Sequence, residues 1–162
     1  MFNYHTHTVF CGHAENTVDE MCEKAIELGF SEIGFSEHYD RDLRGECRGK
    51  LPFDPKEYAK SVKKAKEKYK DRIKVLLGAE MDFYLYNYLD VYKEILEMEP
   101  DYILGSVHRV KGFSFSKGHI PFIYLSEKET EIILKEYLGT LISMINSGCV
   151  NCLDHFDIFK RS

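Results

Sequence analysis

Apolar runs and amphipathic helical patterns alternate along this chain, and that alternation leaves few folds open. The first run leads into His5 and His7. The others are Glu32 to His38, Ile73 to Phe83, Tyr102 to His108 and Val150 to His155. Between them lie four helical segments with clear punctuation. Thr17-Val18-Asp19-Glu20 has the form of a capping box, Val18, Met21, Cys22, Ala25 and Ile26 recur at helical spacing, and Gly29 ends the segment. Asp54-Pro55 opens a second helix with Tyr58, Val62, Ala65 and Tyr69 as its inner stripe. A third covers Tyr88 to Met98 and stops before Pro100. Ser126 to Glu129 form another capping box, opening a helix whose apolar stripe is Ile132, Ile133, Leu138, Leu141, Ile142 and Ile145, stopped by Gly148. Residues 39–53 and 109–125 read as loops. The order βαβαβαβαβ predicts an α/β fold on a parallel sheet.

Metal-ligand side chains fall at one place in each unit. His5 and His7 stand two apart in extended chain, so both imidazoles face the same side. His38, Glu80, His108 and His155 each fall at the C-terminal end of a predicted strand. That edge is where parallel α/β sheets and barrels build their sites. One histidine there fits a satisfied core residue; five strands in succession delivering such a residue point to metal. With His13 in the first loop, the set is too large for one ion. Glu80 can bridge two ions through its two oxygens, so a two- or three-metal centre is expected. Imidazole with carboxylate suits zinc, iron or manganese. Such centres acidify bound water and stabilise the entering and leaving oxygens of a displacement, which suggests phosphoester hydrolysis.

The remaining composition narrows the partners. A net charge of -5 and no basic, aromatic groove argue against nucleic acid. No apolar run approaches the ~20 residues of a membrane span, and no secretion signal precedes His5, so a cytoplasmic protein is expected. Five cysteines, Cys11, Cys22, Cys47, Cys149 and Cys152, are an odd and scattered set that suggests reduced thiols.

These residues resemble a known family. His5-Thr6-His7, Cys11-Gly12-His13-Ala14, Ser36-Glu37-His38, Gly78-Ala79-Glu80, Gly105-Ser106-Val107-His108 and Asp154-His155-Phe156-Asp157 are similar, in order, to successive motifs of the PHP (polymerase and histidinol phosphatase) superfamily. Their wording is closest to its monofunctional histidinol-phosphate phosphatases. The resemblance implies a distorted (β/α)7 TIM-like PHP barrel, here as a single domain over 1–162 holding an N-terminal portion of about five βα units. It implies a first metal on His5, His7 and Glu80, a second on Glu80, His108 and His155, and a third on His13 and His38. It also implies a substrate-phosphate contact from Arg161. The implied activity is hydrolysis of L-histidinol phosphate, a small phosphate ester, within histidine biosynthesis, by a hydroxide bridging two divalent ions.

Several departures qualify this. The family barrel continues with two more strands and a late Asp-x-His motif that completes the first and third metals, and no Asp-x-His occurs in these 162 residues. If the chain is complete, a third metal is expected to be weak or absent. A five-strand sheet would also leave an edge and an apolar face open, which favours a homo-oligomer. Arg109 stands where the family usually has an aromatic or aliphatic residue, and His119 matches no metal position. Two rivals remain open: a PHP phosphoesterase acting on another ester or nucleotide, and a non-catalytic metal-binding remnant.

Overall fold

A computed structural model describes residues 1–40, 54–116 and 120–160. Arg161 and His119, to which roles or their absence were ascribed above, lie outside the described residues, as do Cys47 and most of the 39–53 loop. The strands and helices run β1 (Phe2–Asn3), α1 (Val18–Glu27), β2 (Glu32–Tyr39), α2 (Pro55–Tyr69), β3 (Lys74–Asp82), α3 (Tyr88–Leu96), β4 (Tyr102–Ser106), β5 (Arg109–Val110), β6 (Phe113–Ser114), α4 (Glu127–Ser147) and β7 (Cys152–Leu153). The main sheet has five strands in the order β1-β2-β3-β4-β7, every pair parallel. This is the expected α/β arrangement of a partial TIM-like barrel, with one strand beside the next in chain order.

The helix punctuation forms as the sequence predicts. Thr17 with Glu20 and Ser126 with Glu129 make reciprocal capping boxes, Asp54 accepts from the Lys56 and Glu57 backbone amides, and Gly148 ends α4 at φ 67°. The core lies between the sheet and its helices, with Phe35, Leu77 and Met81 from the strands packed against Val62, Tyr69 and Ile95.

Three expectations need correction. The inner face of α4 is Tyr137, Thr140, Leu141 and Met144, whereas Ile132, Leu138, Ile142 and Ile145 are exposed. Apolar residues fall on more than one side of this helix, with Ile132, Leu138, Ile142 and Ile145 outside and Tyr137, Leu141 and Met144 inside, so periodicity alone could not select the packed face. The fifth strand is two residues long instead of six, because pairing with β4 is confined to Leu104 with Cys152 and Gly105 with Leu153. Residues 109–125 are not wholly loop: β5 and β6 form an antiparallel hairpin. Its turn residues Lys111 and Gly112 have φ of 47° and 83°, the left-handed pair a tight two-residue hairpin needs.

Close backbone approach sets the floor of the sheet. Tyr102 on β4 lies across Gly78 on β3 and reaches Gly34 on β2, and its hydroxyl donates to the Tyr4 carbonyl at 2.6 Å. A Cβ at Gly78 would sit 2.3 Å from the ring. The missing side chains let one tyrosine span the sheet and pin the residue before His5.

Candidate metal centre

The parallel register assembles the site. His38 pairs with Glu80 across β2 and β3, and both occupy the last turns of their strands. His5 and His7 follow β1, and His108 and His155 each stand two residues beyond the ends of β4 and β7. Six of the seven histidines line one cleft with Glu80 at its base. Its volume is about 850 Å³, and Arg109, Ser114 and Ser116 from the hairpin region form part of the wall.

Glu80 is fully buried and divides the imidazoles between its two oxygens. Oε2 lies 3.2 Å from His5 Nε2, 3.3 Å from His7 Nε2 and 3.0 Å from His38 Nδ1. Oε1 lies 3.2 Å from His108 Nε2 and 3.9 Å from His155 Nε2. Within each group the nitrogens face one another: His5 and His7 Nε2 are 2.9 Å apart, and those of His108 and His155 3.0 Å. Two nitrogens bound tetrahedrally to one ion at about 2.0–2.1 Å would be separated by roughly 3.3 Å. The observed 2.9 and 3.0 Å are hydrogen-bond distances, and each pair needs to open by only about 0.3–0.4 Å to take a common cation. Buried Glu80 Oε1, His38 Nδ1 and Asp154 Oδ2 also lack hydrogen-bond partners of good geometry. Divalent ions fit this donor set.

His13 is at the rim. Its ring stands edge-on to His38, with centroids 4.7 Å apart, and 6.1 Å from the ring of His7. His38 thus faces Glu80 as well as His13, where the sequence pairing linked it with His13 alone.

Carboxylates outside the expected set hold the imidazoles. Asp82 Oδ1 contacts His108 Nδ1 very closely. Glu37 accepts from the Thr8 amide and hydroxyl through Oε1, and its Oε2 lies 3.8 Å from His7 Nδ1, beside Cys11. Asp154 Oδ1 lies 2.7 Å from His5 Nδ1. Carboxylates behind metal-ligating histidines commonly fix ring orientation. Asp82 carried a readable signal, since it falls two residues after Glu80 and shares its face of the strand. Glu37 and Asp154 directly precede histidines, a position from which strand alternation predicts no shared site.

Charges in the cluster act on one another at close range. Burial alone would raise the Glu80 pKa, but His38, His5 and His7 around it hold the carboxyl well below its usual range. Asp154 and then Glu80 raise His5 to about 9 against its partial burial. Burial opposes the charge on His7, yet Cys11, Glu37 and Glu80 together raise it to about 11. The carboxylates concentrate negative charge and draw cations to the strand ends.

Comparison with known proteins gives the family and the fold. A family model described as PHP domain matches residues 3–161. A protein of Deinococcus radiodurans named probable histidinol-phosphatase is 28% identical, over 97% of this chain and 60% of its own length. The histidinol-phosphatase of Lactococcus lactis subsp. lactis is 26% identical, over 98% of this chain and 57% of its own. The crystal structure of a histidinol phosphate phosphatase from L. lactis, in complex with zinc, L-histidinol and phosphate, superposes with a TM-score of 0.79 at 24% identity, covering 96% of this chain and 57% of that one. The chain therefore spans about 60% of the length of the curated relatives it matches. By fold, strand-end residues and family match, the chain belongs to the PHP domain family.

Proposed function

We propose that this chain carries the metal centre of a phosphomonoester hydrolase acting on L-histidinol phosphate, releasing histidinol and inorganic phosphate. The observation that carries the reading is the division of Glu80, with Oε2 among His5, His7 and His38 and Oε1 between His108 and His155. In this reading His5, His7 and Glu80 hold one divalent ion, and Glu80, His108 and His155 hold a second. His13 and His38 supply a weaker third position. Zinc, iron and manganese all suit these ligands. Bound ions would stabilise charge on the phosphate oxygens and make water available as a nucleophile near neutral pH.

The chain's own residues set the geometry around that chemistry. Glu80 fixes the spacing of the two positions, and Asp82 keeps the His108 ring turned toward it. Arg109 is among the residues lining the cleft and, with Arg161, is a candidate to contact a phosphate dianion. Residues 1–162 act as one domain in this account. The zinc, L-histidinol and phosphate in the L. lactis crystal structure support the substrate and metal class.

The test is phosphate release by the metal-loaded chain from L-histidinol phosphate and from a panel of other phosphomonoesters and nucleotides. Highest kcat/KM on L-histidinol phosphate, lost on chelation, is expected. Preference for another ester would make this a PHP phosphoesterase of different specificity. Metal bound at full occupancy with no turnover on any ester would identify a non-catalytic binding module.

A further inference from the structure

We infer that Asp154 is itself a ligand, giving the second cation position a fourth protein donor while fixing His5 of the first. The inference rests on reading the cluster as a metal centre. It starts from the two oxygens of one carboxylate facing two different imidazoles. Asp154 Oδ1 lies 2.7 Å from His5 Nδ1, and His5 turns its other nitrogen, Nε2, to Glu80. With an ion bound at Nε2, the proton of His5 sits on Nδ1 and Oδ1 would accept it, fixing the ring.

Oδ2 has a different environment. It lies 2.8 Å from His155 Nε2 but outside hydrogen-bonding geometry, and it is buried with no hydrogen-bond partner. The side chain as a whole is 9% exposed. A buried carboxylate oxygen without a hydrogen-bond donor is costly unless a cation meets it, here either a protonated His155 or an ion held by both side chains. Its neighbours are the donors of the second position: one atom each from Glu80, His108, Asp154 and His155 lie within 4.8 Å of one another. Two imidazoles and two carboxylates close a four-ligand shell from this chain alone.

The backbone holds the residue in place. The Asp154 amide donates to the Gly105 carbonyl at 3.0 Å, and the Tyr137 hydroxyl donates to the His155 carbonyl at 3.1 Å. Asp154 is thus set by β4 and α4 instead of by a free loop.

Asp154→Asn separates the two functions of the carboxylate. Its amide oxygen still accepts from His5 Nδ1–H, while its NH2 group cannot replace Oδ2 as a ligand. The apo chain and the variant are titrated with Co²⁺, following the visible d–d bands and the heat of binding, with folding checked by circular dichroism. The wild type is expected to bind two ions. The variant is expected to keep the first within about threefold and to bind the second at least ~10-fold more weakly, with weaker d–d bands for that ion. Asp154→Ala, which also frees His5, is expected to weaken both. Both ions within threefold of wild type in Asp154→Asn would overturn the ligand role and leave only positioning of His5. A wild type that binds no cobalt would defeat the metal-centre reading itself. Should Asp154→Asn fail to fold, Asp154→Ser, with a hydroxyl toward His5, gives the same comparison.

Discussion

Gly78→Ala tests whether the glycine floor of the sheet controls both stability and site geometry. The new Cβ would stand 2.3 Å from Tyr102 Cζ and 2.6 and 2.7 Å from its two Cε atoms. Carbon atoms in contact prefer about 3.5–4.0 Å, so the ring must retreat by roughly 1.2 Å or more. It has little room, because its hydroxyl is bonded to the Tyr4 carbonyl and lies against Gly34 on the next strand. Overpacking of this kind costs ~1–3 kcal/mol, and breaking the Tyr4 bond adds about 1 kcal/mol. A loss of ~2–4 kcal/mol lowers the melting temperature by on the order of 10 °C in a chain of this size. Urea denaturation of the wild type, Gly78→Ala, Tyr102→Ala and the pair forms a double-mutant cycle. With the ring gone, Gly78→Ala should cost under ~0.5 kcal/mol, since open space remains above the Cβ. An equal cost in both backgrounds would refute the reasoning. Cobalt affinity of Gly78→Ala should fall as well, because Tyr4 directly precedes His5.

The other predictions concern packing and thiols. Ile142→Lys, on the exposed face of α4, should change unfolding free energy by no more than ~0.5 kcal/mol, whereas Met144→Ala on the packed face should cost ~2–5 kcal/mol; equal effects in chemical denaturation would restore the stripe expected from sequence. Burial pushes the Cys22 thiol up to about 12, so at pH 8 only about one molecule in 10⁴ carries its thiolate, against roughly a quarter for a free thiol. In a Cys47→Ser background, a thiol reagent should therefore label exposed Cys152 quickly and Cys22 only on unfolding, as read by mass spectrometry of peptides. Fast native labelling of Cys22 would contradict its burial.

Much of the site was legible because strand ends carry chemistry in this architecture. His5, His7, His38, Glu80, His108 and His155 were placed together by counting units alone, and the structure gathers them in one cleft. What the sequence concealed was decided by tertiary packing. The buried stripe of α4 includes Thr140 and leaves Ile142 outside, which hydropathy ranks in the opposite order. The hairpin was readable in Val110-Lys111-Gly112-Phe113, a glycine turn between short apolar residues, but its strands are two residues each, below the length at which alternation speaks. Asp154 was hidden because adjacent residues on a strand point apart, and only the chain's turn after β7 brings its carboxylate and His155 together.

The central claim is that Glu80 joins two cation positions, and elemental analysis after metal loading tests it most directly. The wild-type chain, loaded with zinc or manganese and freed of loose metal, should retain about two divalent ions per chain, or three if the His13 position fills. Glu80→Gln, which removes the shared charge and one of the two ligand oxygens, should retain fewer than one. One ion or none in the wild type, or equal loading in Glu80→Gln, would contradict the account.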